Sequence, residues 1–298
     1  MKVANAPVSW GVFELTDPKD HPGYTQVLDE IRQTGYQGTE LGDWGFFPTD
    51  PERLAAELAD RQLELVGAFV PVALADPQKH ETGQAQALRA AALLRAVSGT
   101  GALIILSDDN ASDAVRLRNA GRIRPDQGLS ADRWEIFTRG AERIARGVLE
   151  ATGLRTVFHH HCAGYVETAA ELATLMERTD PELLGLCLDT GHLYFGGGDP
   201  AEAVRRYGKR IWHVHFKDVD PQVAARSRAE QWDYTRSVRE GVFCGLGYGA
   251  VNLAEVLEEL RRLGYQGWVV VEQDRLPGTG SALEDAARSR EHLRRLGV

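Results

Sequence analysis

Cysteine is scarce in this chain: Cys162, Cys187 and Cys244 are the only three in 298 residues, and no two stand as C-x-x-C. An odd and dispersed set does not make a disulfide framework and argues against a thiolate zinc site, so a reducing cytoplasm is the expected compartment. Long apolar runs are also lacking. Nowhere do the ~18 successive apolar residues of a membrane helix occur. At the N-terminus Lys2 is followed by Val3, Ala4, Asn5 and Pro7, too short and too broken for a signal-peptide core. Neither export by that route nor a membrane span is expected. Basic charge is in deficit too, with 34 Lys and Arg against 43 Asp and Glu for a formal net charge of -9. That sign opposes a surface built to neutralise a phosphate backbone, so nucleic acid is not an expected partner.

What the chain does have is an ordinary globular balance, 43% hydrophobic and 26% charged. Its length suits one (β/α)8 TIM barrel, a single domain over residues 1–298. Eight β-rich runs alternate with helical stretches: Val3–Trp10, Gly38–Leu41, Leu63–Val70, Ala102–Leu106, Thr156–His159, Leu184–Asp189, Ile211–Phe216 and Trp268–Glu272. Their Val, Ile, Leu and Phe interiors show little alternation, as expected of parallel strands covered on both faces.

Helix boundaries are written between these runs. Asp50-Pro51 pairs an N-cap with proline at the first helical position, and Thr168 with Glu171 and Asn252 with Glu255 have capping-box spacing. Leu253, Val256, Leu257, Leu260 and Leu263 recur at helical offsets and predict one buried face. An internal echo joins Leu28–Leu41 to Leu257–Glu272: each copy is a helix closed by glycine, then a strand that delivers a glutamate near its end. Two stretches are long, Ser107–Leu129 after the fourth strand and Lys217–Val251 after the seventh. In a barrel both lie on the C-terminal face, which is therefore the expected working face.

Four predicted strands end in a potential metal ligand: His159, Asp189, His215 and Glu272. A carboxylate closing an apolar strand pays a large desolvation cost unless paired or bound to a cation, and a divalent ion would answer Asp189 and Glu272 together. Two carboxylates and two imidazoles suit Mn2+, Co2+, Fe2+ or Zn2+ better than Ca2+, with Mg2+ less favoured. Within His159-His160-His161, strand alternation sends His159 and His161 to one side and His160 to the other. His192 stands three residues beyond Asp189; a capping or core role competes with a place in the pocket. Lys217 follows His215 at strand parity, and an exposed lysine is its ordinary alternative. Asp218 is read as tying down its loop. Trp10, Trp44 and Phe46 are core residues by default and pocket walls otherwise. The glycines around Tyr248 suggest a phosphate cradle only weakly, a flexible loop entry explaining them as well.

The segments FHHHCAGYVET, LDTGH, HVHFKD and VVVEQD, with NAPVSWG and GTELGDWG before them, resemble the xylose isomerase-like superfamily of sugar isomerases, epimerases and dehydratases. Within it the chain is most similar to the inosose (2-keto-myo-inositol) dehydratases, which share the histidine run. The resemblance implies that His159, Asp189, His215 and Glu272 bind a metal, Mn2+ or Co2+, and that Glu40, His161, His192 and Lys217 face a small sugar or inositol-derived ketone. It implies a homo-oligomer, dimer or tetramer, and a place in inositol catabolism. The expected reaction is dehydration of a polyhydroxylated cyclic ketone through an enediolate, with Glu272 or Glu40 as base and His161, His192 or Lys217 as acid. Reprotonation of the same enediolate would instead make a ketose isomerase or epimerase. A DNA-repair endonuclease of the superfamily would want more histidines and a basic groove; a non-catalytic sugar-binding barrel would not need the ligand set.

Overall fold

A computed structural model describes residues 1–13 and 16–298. Eight parallel strands close a barrel in simple sequential order: Lys2–Asn5, Gly38–Glu40, Glu64–Val72, Leu103–Asp108, Arg155–His159, Leu184–Asp189, Ile211–Phe216 and Trp268–Val271, with the first pairing to both the second and the eighth. All eight predicted runs contain a strand. The first is shorter than Val3–Trp10: it stops at Asn5, and Pro7–Trp10 is a 3-10 turn. Proline cannot donate to a strand ladder, and its fixed φ suits the first position of a helix, so Pro7 ends the strand.

The main core lies between the strands and the helices around them. Inside the barrel are smaller apolar groups, Ala4, Ala6, Val66 and Val270 on one side and Ile105, Val157 and Cys187 on the other. Strand alternation turns this inner layer into the floor of the site. His159, Asp189 and Glu272 each stand two residues beyond an inward residue of this layer (Val157, Cys187, Val270), and His215 two beyond His213, so all four crown the barrel's interior at its C-terminal end.

The helix boundaries follow their local chemistry. Asp50 accepts from the Arg53 N–H and caps Pro51–Asp60, and Thr168 and Glu171 form a reciprocal capping box on Ala169–Arg178. Asn252 caps Leu253–Arg262, but Glu255 returns its carboxylate to the Asn252 side-chain amide. Leu253, Val256, Leu257 and Leu260 are buried; Leu263 falls past the helix end and is 48% exposed, a correction to the predicted face.

Both long stretches after strands four and seven carry structure of their own. The first holds the helix Ala114–Asn119, and the second holds Pro221–Ala229, Tyr234–Arg239 and a two-residue antiparallel ribbon, Asp218–Val219 with Phe243–Cys244. They are stitched together: Arg122 donates to the Trp232 carbonyl at 2.7 Å, and Arg228 to the carbonyls of Gly121 and Phe195 at 3.0 and 2.8 Å. Arg116, fully buried, spans from the first stretch to Glu171 and to the Gly164 carbonyl. Asp218 takes the N–H groups of Gly247, Gly249 and Val251. Those donors are therefore spent within the protein, and the turn around Tyr248 is not a phosphate cradle.

Candidate active site

At the C-terminal mouth a cleft of about 500 Å3, open outer space included, is lined among others by Glu40, His159, His161, Lys217 and Glu272. Its aromatic wall is made by Phe13 and Phe69, not by the tryptophans. Trp10 is buried and donates to Glu30, Phe46 packs on Phe47, and Trp44 is 39% exposed beneath the Arg89 guanidinium.

His159, Asp189, His215 and Glu272 each offer a ligand atom, and these four atoms lie within 4.8 Å of one another. His215 Nδ1 is 3.3 Å from Glu272 Oε2 and 3.9 Å from Asp189 Oδ2, and His159 Nε2 is 3.5 Å from Asp189 Oδ2. Both nitrogens of His159, His215 Nδ1 and Asp189 Oδ2 are buried without a hydrogen-bond partner. Buried polar atoms are nearly always paired, so orphans converging on one point call for a shared partner. A divalent cation fits this donor set: the orphan atoms are lone-pair donors, and carboxylates on either side balance its charge. His159 is not a member of an ion pair with Asp189, because burial, and then the charge on His215, holds its pKa well below the usual imidazole value.

The two glutamates of the sequence echo grip one imidazole. Glu40 Oε1 accepts from His215 Nε2 at 2.8 Å, while Glu272 faces Nδ1. Glu40 Oε1 also meets His213 Nε2 at 2.7 Å. Burial opposes ionisation of Glu40, yet His215 and His213 bring its pKa down to about 2. A carboxylate on the far nitrogen fixes the tautomer and orientation of a metal-binding histidine. Burial likewise opposes a charged His215, but Cys187, Glu272 and Glu40 raise its pKa well above the usual value. A cation at Nδ1 would compete with that proton.

Beside the quartet stands a second cluster. Lys217 is buried, and its ammonium lies 2.6 Å from Asp274 Oδ1, 3.1 Å from Glu272 Oε2, 3.5 Å from Asp189 Oδ2 and 2.9 Å from His192 Nε2. Desolvation works against its charge, but the carboxylates of Asp189, Asp274 and Glu272 raise its pKa well above the ordinary value. Gly191 makes room for it: a Cβ there would sit 2.5 Å from Lys217 Cγ. Tyr234, from the long stretch after strand seven, donates to Asp274 Oδ2 at 2.8 Å and stands 3.4 Å from His161 Nε2.

His161 is on the cavity wall with Nδ1 2.6 Å from the Cys162 carbonyl. A carbonyl only accepts, so Nδ1 carries the proton and Nε2 keeps a lone pair. Burial pushes the pKa of His161 down to about 3. His160 points the other way, its Nε2 accepting the Asp189 N–H at 3.1 Å. His192 is fully buried behind Lys217 and His161, with its ring centroid 3.7 Å from that of His161, and does not line the cavity that it was expected to face.

Asp274, Tyr234 and His213 are the polar residues that sequence reasoning passed over. Asp274 and His213 carried a usable signal, each standing two residues from a strand-end ligand and so on the same side of the chain. Tyr234 had none, because a long connection does not announce where it folds back.

A family model described as a xylose isomerase-like TIM barrel matches residues 28–296, and the chain belongs to that family. The inosose dehydratase of Geobacillus kaustophilus (strain HTA426) is 33% identical over 295 residues, 99% of this chain and 94% of that protein. Among solved structures, the probable 3-DHS dehydratase AsbF of Bacillus anthracis has a TM-score of 0.72 at 14% identity over 99% of both chains. The 3-keto-D-glucoside 4-epimerase YcjR of E. coli has a TM-score of 0.66 at 16% identity, covering 100% of this chain and 99% of its own. Those two likenesses are of fold. The chain is an enzyme of the dehydratase or isomerase/epimerase type, and no described helix is long and apolar enough to cross a membrane.

Proposed function

We propose that the chain is a divalent-metal-dependent lyase that removes water from a polyhydroxylated cyclic ketone such as 2-keto-myo-inositol. The observation that carries this reading is the convergence of orphaned atoms from His159, Asp189 and His215, with Glu272, at the floor of a cavity walled by Lys217 and His161. The substrate class comes from the inosose dehydratase relative at 33% identity over nearly the whole chain.

His159, Asp189, His215 and Glu272 would hold the ion; their mixed donor set suits Mn2+, Co2+, Fe2+ or Zn2+, and the resemblance to inosose dehydratases favours Mn2+ or Co2+. Bound there, it would supply Lewis acidity to a substrate carbonyl and so make the adjacent C–H more acidic. The protein supplies the rest. Glu272 or Glu40, both on the cavity wall, takes the carbon-bound proton, and His161 presents an unprotonated Nε2 there to accept a hydrogen bond from a substrate hydroxyl, its Nδ1–H fixed by the Cys162 carbonyl. Lys217, held charged by three carboxylates, presents an N–H to a departing hydroxyl, which leaves as water on gaining a proton. Glu40 keeps His215 in the tautomer that turns Nδ1 toward the other ligands. His192 and Tyr234 pack against these groups and exclude water.

The test is direct: purified protein with 2-keto-myo-inositol and Mn2+, followed by the absorbance of the unsaturated diketone, with a chelator-treated control. Absorbance growth that needs the metal is expected. Turnover of a free ketose without that absorbance would replace the lyase reading with an isomerase or epimerase.

A further inference from the structure

Of the charged side chains lining the cavity, Asp43 is the one that the chemistry above does not use. It sits in the loop after strand two, half-buried, and lines both the main cavity and a groove of about 740 Å3, open outer space included, that adjoins it. Its carboxylate meets no hydrogen-bond or ion-pair partner among the described residues. Every other carboxylate lining the cavity among the described residues is engaged: Glu40 by His213 and His215, Glu272 by His215 and Lys217, Asp274 by Lys217 and Tyr234. An acceptor left open in a cavity wall is an acceptor for what enters the cavity.

The charge balance says what that ligand is. Among the described residues, Lys217 is the one basic side chain with a fixed charge on the wall and no arginine lines it, and Lys217 is already shared among carboxylates. Arg89, in the adjoining groove, is stacked over Trp44 at 4.1 Å and does not line the cavity. Apart from the ion that the quartet would hold, a carboxylated or phosphorylated substrate would therefore find no free cation and would meet Asp43. A polyol would find in the same carboxylate an acceptor for one or two hydroxyls, in the charge-assisted form of the bond.

We infer that Asp43 is the specificity residue of this cavity: it binds hydroxyl groups of the substrate ring and turns away ring ketones bearing an anionic group. Burial raises its pKa from the ordinary aspartate value, with His21 opposing, as expected of a carboxylate that the protein leaves without donors. The inference deepens the proposed reading of the site and rests on it for the substrate class.

Two kinds of measurement separate the two claims. In turnover, Asp43→Asn and Asp43→Ala are expected to raise KM for 2-keto-myo-inositol by about tenfold to a hundredfold, the loss of one hydrogen bond to a charged group, with kcat changed far less. Asp43→Lys is expected to lower KM for 3-dehydroshikimate, a cyclic hydroxyketone with a carboxylate, by a similar factor. In binding, calorimetry with myo-inositol and Mn2+ reads the same selectivity without turnover. A wild type that binds myo-inositol tenfold or more tighter than Asp43→Asn but turns over no cyclic ketone sinks the lyase and keeps the specificity residue. Unchanged KM and unchanged myo-inositol affinity in folded Asp43→Asn and Asp43→Ala overturn the inference, whatever the wild type catalyses.

Discussion

Two buried polar clusters share the mouth of this barrel, and they differ in how far the protein itself has satisfied them. In the quartet of His159, Asp189, His215 and Glu272, both nitrogens of His159, His215 Nδ1 and Asp189 Oδ2 are left without a hydrogen-bond partner. In the cluster of Lys217, Asp274, His192, His161 and Tyr234, an ammonium already stands among the acceptors, and a tyrosine hydroxyl completes the aspartate. His161, His192 and Asp274 also bring ligand atoms within 4.8 Å of one another, so by donor type the two clusters are alike. The difference is the lysine. A built-in cation makes the second cluster permanent, while the first is complete only with something from outside.

The contrast predicts opposite responses to mutation. The largest effect on activity belongs to the quartet. Asp189→Asn keeps the cap on the His192 N–H, which uses Oδ1, and changes the orphaned Oδ2. Wild type should gain about 2.7 kcal/mol of stability at a hundredfold excess of Mn2+ over its Kd. The variant should gain none and lose its activity. Thermal melts with and without Mn2+ check this, and an equal Mn2+ response in both proteins would remove Asp189 from the site.

Next in size is Lys217→Met. Removing the cation leaves Asp274, Glu272 and Asp189 without their counter-charge in a buried place, which costs about 3–5 kcal/mol. The rate should fall about 10²- to 10⁴-fold as the proton donor is lost. The Mn2+ response in thermal melts should persist, which Asp189→Asn does not allow. Wild-type kcat in Lys217→Met would show the ammonium to be structural only.

How much of this could be read beforehand depends on whether a residue's role is local. The strands were legible because buried parallel strands are continuous apolar runs, and the ends of four of them displayed His159, Asp189, His215 and Glu272 directly. Pro7 marked the early end of the first strand, yet the apolar run through Trp10 outweighed it. The Leu28–Leu41 and Leu257–Glu272 echo announced two glutamates at strand ends. That they would hold opposite nitrogens of His215 depends on barrel closure, which brings strands two and eight to either side of strand one around the same interior. Tyr234 and the exclusion of His192 from the cavity wall were not legible, since both depend on how the Lys217–Val251 stretch folds back over the mouth.

The smallest effect concerns the support of the finished cluster. Glu167, buried, accepts the Ala163 N–H at 2.8 Å with one oxygen and the Gly121 N–H at 2.7 Å with the other, tying the loop that carries His161 to the stretch after strand four. Burial raises its pKa from 4.5 to about 7, against those two donors and Arg116. A raised carboxylate pKa means that the folded state binds the proton more tightly than the unfolded one. Its contribution to stability is therefore full below about pH 4.5 and is lost as pH rises through about 7. The displacement corresponds to at most about 3 kcal/mol. In metal-free protein, urea midpoints across this range should fall more steeply for wild type than for Glu167→Gln, whose amide does not titrate. Near pH 8, where Glu167 is ionised, the variant should keep most of its kcat, because Glu167 touches neither cluster. Parallel stability profiles for the two proteins would show that the loop is held in one protonation state throughout.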